Sequence, residues 1–158
     1  MRTIESKIKQ VVDKIEGLHY LFDNWATANV RLDSDKLPAM LNVLPISGVI
    51  SLTKNKLKDF PNCLFAFLDK AEFDFDGQGN DITVEKCKSL AKMFILHMNE
   101  SELFEQIEGD IPYSVVYDKL DVNVTGIVIE IKVKELNGLV LCPGKPISSY
   151  FDGEQGGS

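Results

Sequence analysis

Residues 73–98 read FDFDGQGNDITVEKCKSLAKMFILHM, and two periodicities meet in them. Phe73, Asp74, Phe75 and Asp76 alternate apolar with acidic, as a strand does; Gly77 and Gly79 permit a tight turn; Cys87, Leu90, Ala91, Phe94 and Met98 recur at helical spacing. A strand that turns into an amphipathic helix predicts an α+β domain. The helix is predicted from Ile82 to about Asn99, with Asn80 or Asp81 accepting its free amides and Glu85, Lys86, Lys88 and Lys92 left in water.

Upstream, Ile4, Ile8, Val11, Val12 and Ile15 put one stripe on a helix from about Thr3, its cap, to Glu16, with Gly17 as its stop. Leu18–Phe22 and Ala28–Leu32 are strand candidates around a loop of Asp23, Asn24 and Trp25. Ala39–Leu44 and Val49–Leu52, separated by Pro45, Ser47 and Gly48, suggest a hairpin or bent strand pair. Cys63–Leu68 is apolar on both pleat faces, so it is predicted at the centre of the sheet, with Pro61 and Asn62 at its start. Downstream, Leu103–Ile107, Tyr113–Tyr117 and Thr125–Val133 complete the regular structure. In the last of these, Ile127, Ile129, Ile131 and Val133 alternate with Val128, Glu130 and Lys132. The expected architecture is an antiparallel sheet packed by two main helices, as one domain over residues 1–142 followed by a Pro/Gly-rich tail, 143–158.

A length of 158 residues suits one core, and 44% hydrophobic with 26% charged residues argues against disorder. The net charge of −7 disfavours coating of duplex DNA. Cys63, Cys87 and Cys142 lie far apart with no Cys-x-x-Cys pair and are read as reduced thiols. No apolar run has signal-peptide or membrane-span length, so a soluble protein made in a reducing cytoplasm, without membrane contact, is expected.

No catalytic constellation emerges. His19 and His97 fall in different elements, and Ser148 and Ser149 lack a glycine elbow. Gly77 and Gly79 lack the Lys-Ser/Thr of a phosphate loop. In an EF-hand register Glu72, Asp74 and Asp76 take the first, third and fifth positions, but Thr83 stands where a bidentate Glu belongs, which favours a turn and a helix cap over a cation site. The sequence therefore predicts no enzyme, no cofactor and no metal.

The run from the N-terminal helix through NWATANVRLD, LPAMLNVLPISG, EFDFDGQGND and YDKLDVNVTGIVIEIKV resembles an uncharacterised family of tailed phages and prophages of Bacteroides-type bacteria. Its order of elements, ending in Val-x-Gly-Ile-x-Ile, is similar to that of tail-terminator and neck proteins, the head-tail connectors. The resemblance implies a tail-terminator-like fold and a structural virion protein. It also implies a homo-oligomeric ring against portal, adaptor or tail proteins, made in the host cytoplasm, through which DNA passes without sequence-specific binding. An acidic wall suits such a conduit, because it repels the polyanion. Ring contacts need two different surfaces per subunit. Candidates are Trp25, which otherwise plugs the edge of the core; Lys54, Lys56 and Lys58, which otherwise are the solvated face of a loop or strand edge; and Tyr150 and Phe151 in the tail. The competing expectations are a small cytoplasmic adaptor or assembly chaperone, and a cation-binding domain built on the Asp74/Asp76 turn.

Overall fold

A computed structural model describes residues 3–70, 78–120 and 123–151. The chain opens with α1 (Ile4–Val12), whose first amides are met by Thr3: its Oγ1 accepts the Ser6 N–H at 3.1 Å. The helix is shorter than its apolar stripe, because Lys14 and Ile15 donate to Val11 and Val12 in tighter turns before Gly17 reverses the chain at φ +81°. β1 (His19–Asp23), α2 (Trp25–Arg31) and β2 (Ala39–Val43) follow.

Here two expectations fail together. Ala28–Leu32 is not a strand, and β1 runs parallel to β2, so the sheet is mixed rather than antiparallel. A parallel pair needs a long crossover, and residues 24–38, with α2 inside them, provide it. Asn24 starts α2 by accepting the Thr27 N–H at 2.7 Å. Ala28 and Leu32, four apart, are buried, whereas Val30 between them is 85% exposed. Trp25 is thus the first residue of a helix rather than part of a loop.

The sheet is built on β4 (Lys56–Lys70). β3 (Ser47–Thr53) pairs with the first half of β4 and β2 with the second half, on the same edge, so β2 and β3 do not form a hairpin with each other. On the opposite edge β6 (Val124–Lys132) pairs with residues 62–70 and the short β7 (Leu139–Val140) with Lys56 and Leu57. β5 (Tyr113–Lys119) closes the far side, giving the order β1-β2-β4-β6-β5 with β3 and β7 attached to β4. Cys63–Leu68 is central as expected, but its strand begins earlier, at Lys56. Pro61 is accommodated where the β6 ladder ends: its carbonyl accepts the Val133 N–H, and it has no amide to leave unmet. Leu103–Ile107 forms no strand; only Phe104 makes a bridge, to Glu135.

α3 (Gln78–Glu100) begins before Asn80 and Asp81, so neither is the cap; Asp81 lies exposed in the first turn, where the helix dipole favours a carboxylate. α1 and α3 cover one face of the sheet, and Ile8, Val12, Phe65, Phe94, Met98 and Ile129 share its main core. α2 covers part of the other face over a smaller core with Leu41, Ala66 and Leu68. Leu64, 40% exposed, lies beyond that cover. The fold is therefore a mixed seven-stranded sheet with three α-helices among the described residues. In the Val-x-Gly-Ile-x-Ile stretch, a Cβ on Gly126 would come within 1.9 Å of the Phe67 carbonyl oxygen, so the spine strand and β6 approach as closely as only glycine allows.

Candidate interaction surfaces

Lys54, Lys56 and Lys58 come together. β3 and the start of β4 form a hairpin arm, turned at Lys54, whose φ is 54°. Ser51 lies opposite Lys58 and Thr53 opposite Lys56, so these side chains share a face, and with Lys54, Phe60, Val140, Leu141 and one acid, Glu105, they line a groove of about 650 Å³. On the other face of the arm Ile50 and Leu52 are 77% and 63% exposed, because neither helix of that side reaches them. β3 carries no charged residue, and its outer edge has no partner among the described strands. Such an edge is a ready template for another chain.

Tyr150 is tied to the same end of the molecule. Leu141 donates to the Asn55 carbonyl at 2.6 Å, and the next residue, Cys142, is clamped by Tyr150, whose hydroxyl accepts the Cys142 N–H at 2.6 Å and donates to its carbonyl at 3.2 Å. The Lys145 ammonium lies 4.4 Å from the centre of the Tyr150 ring. Phe151 remains half exposed. Trp25 belongs elsewhere, half-buried against the smaller core under α2.

The sequence reading missed a second surface. Glu100–Asp110, ESELFEQIEGD, carries five carboxylates and no basic residue. It is held firmly: Phe104 is 2% exposed, Glu105 donates its N–H to Lys134, and Asn99 accepts the Ile107 N–H at 2.6 Å and donates to the Ile107 carbonyl at 3.0 Å. Glu105, Glu108, Asp110 and Glu130 line a hollow of about 510 Å³, with Lys132 and Lys134 as its basic members. The absence of lysine and arginine through eleven residues was the available signal.

Between α1 and the arm lies a buried ion pair, Lys7 Nζ to Glu135 Oε2 at 3.3 Å; Glu135 Oε1 also accepts the Asp59 N–H at 3.2 Å. Partial burial, and then the Glu135 charge, hold the Asp59 carboxyl above the usual range. Burial, with Asp59 second, pushes the Cys63 thiol up to about 12, and burial pushes that of Cys87 to about 12, which leaves both inert at neutral pH. Burial also raises the Tyr20 hydroxyl, which accepts a hydrogen bond from the Asn42 amide at 3.3 Å. His19 is exposed on β1 and His97 half-buried on α3. Among the described residues no group of three His, Cys, Asp or Glu is placed to hold a metal, and no helix is long and apolar enough to cross a membrane. The proposed calcium-like turn, Glu72, Asp74 and Asp76, lies outside the described residues, as do residues 152–158 of the tail. The chain matches no protein-family model, no curated protein and no solved structure.

Proposed function

We propose that the protein is a structural subunit that assembles with copies of itself, and that it forms the ring at the neck or tail end of a tailed phage, joining portal or head to tail and letting DNA pass. The observation that carries self-assembly is the hairpin arm, where Ile50 and Leu52 remain open to water on an uncharged edge strand whose outer edge is unpaired among the described residues. Contiguous exposed apolar surface of this kind is what a protein contact removes from solvent. The phage setting rests on the family resemblance, and the net charge of −7 supports a channel wall that does not grip DNA. In this reading the protein is made in the host cytoplasm and ends in the virion.

Two measurements test it. Light scattering after size exclusion should give a multiple of the 17.7 kDa chain mass, and peptides of the protein should be found in purified particles. A monomer bound to one partner and missing from the particles would instead identify an adaptor or assembly chaperone.

A further inference from the structure

We infer that the contact between copies is made by the lysine-bearing hairpin arm of one subunit docking on the acidic segment Glu100–Asp110 of another. This rests on the self-assembly reading and names its surfaces. The charges are segregated along the chain: residues 44–58 contain Lys54, Lys56 and Lys58 with no acid, and residues 100–110 contain five acids with no base; in space Glu105 is the one acid of the lysine groove, and Lys132 and Lys134 are outnumbered by the four acids of the hollow. None of the ion pairs among the described residues uses those three lysines, nor Glu102, Glu105, Glu108 or Asp110. Among the described residues each surface thus carries charge with no ion-pair partner, and each has apolar matter within the same element: Ile50 and Leu52 on the opposite face of the arm, Ile107 and Ile111 at the acidic hollow. Both are prefixed, the arm by its ladders to β4 and the acidic segment by the Phe104 anchor and the Asn99 clamp, so docking orders little that is not already ordered. The occupant is a second copy because the two surfaces are complementary in sign and each chain carries one of each, which is what repeated head-to-tail addition requires.

Charge reversal with crossed rescue tests this. Lys54→Glu/Lys56→Glu and Glu108→Lys/Asp110→Lys change only exposed positions. Each variant alone then brings like charges together and should run as a monomer under conditions where wild type assembles. Mixed in equal amounts, the two should assemble again in alternating order, since each arm now faces a segment of opposite sign, and this recovery shows that both variants are folded. The wild-type oligomer should also dissociate more readily in 1 M salt, where charges are screened beyond about 3 Å. Assembly of either variant alone, or no recovery on mixing, overturns the interface while leaving self-assembly in place. A wild type that stays monomeric at every concentration overturns both. A wild-type mass of two chains, abolished and rescued as above, keeps the interface and refutes the ring.

Discussion

Phe94→Ala is the sharpest perturbation of this fold. Phe94 is fully buried on α3, and its ring meets Phe65 at 5.1 Å, edge to face at 65°, and Phe67 at 5.7 Å, tilted by 56°. Truncating a buried Phe to Ala costs about 3–5 kcal/mol, from lost transfer energy and the cavity left behind. The two ring contacts, on neighbouring inward positions of the central strand, cannot both be refilled by one movement, which places the loss at about 4–5 kcal/mol. A domain is held by only about 5–15 kcal/mol, so the variant should lose from about a quarter to nearly all of its stability. At about 2–4 °C per kcal/mol for a chain of this size, its melting midpoint should fall by about 8–20 °C. Leu96→Ala, two residues along the same helix but 67% exposed, is the control, and should move the midpoint by less than about 2 °C. Circular dichroism melting of the three proteins decides it. A Phe94→Ala midpoint within about 2 °C of wild type would refute the packing of α3 on β4.

Gly126→Ala should cost about 3 kcal/mol or more, measured by urea denaturation, since the new methyl would meet the Phe67 carbonyl and the Leu68 backbone rather than a movable side chain. Lys7→Met should lose about 3–5 kcal/mol by leaving Glu135 buried and unpaired. Adding Glu135→Gln, which keeps an oxygen for the Asp59 N–H, should restore most of it, and an additive double variant would rule out the pair as the cause. Asp59 has a folded-state pKa above its ordinary 3.8, so its ionisation opposes folding: the stability linked to its proton is present below 3.8 and lost as pH rises through the raised value. Asp59→Asn should therefore raise the melting point at pH 7 and leave it nearly unchanged at pH 3; equal effects at both would exclude this linkage.

What was legible in the sequence followed from residues whose local pattern and burial agree. Ile127, Ile129, Ile131 and Val133 alternate and are all buried, and Thr3 precedes an apolar stripe and caps it. Where patterns compete, local reasoning chose the wrong one. Ala28, Val30 and Leu32 alternate like a strand, but Trp25, Ala28 and Leu32 also fit a helix, and only tertiary packing, which leaves Val30 in water, decides between them. The parallel β1-β2 pair was lost with that helix, because without a crossover no parallel pair is possible. The lysine surface was visible as a charge run, but the acidic segment was hidden: Leu103–Ile107 reads as a short strand, whereas the residue that fixes the segment is Phe104, buried and bridged to Glu135.

The length of β4 ties the fold to the proposed assembly. At fifteen residues it is far longer than the five or six of an ordinary strand, and near Pro61 its neighbours change on both edges, from β3 to β2 on one and from β7 to β6 on the other. The second half holds both cores, Cys63, Phe65 and Phe67 on one face and Ala66 and Leu68 on the other; the first half adds little to either and supports the arm. If that arm were only a solvated extension, the usual defences of a free edge would fall on its edge strand, as lysines, prolines or bulges within β3. They do not: Lys54 is in the turn, Lys56 and Lys58 are on the inner strand, and β3 presents Val49, Ile50 and Leu52 with no charge among them. The lysines therefore leave the edge itself open and border it with a predominantly positive groove, which fits the proposed docking of an acidic surface better than it fits prevention of contact.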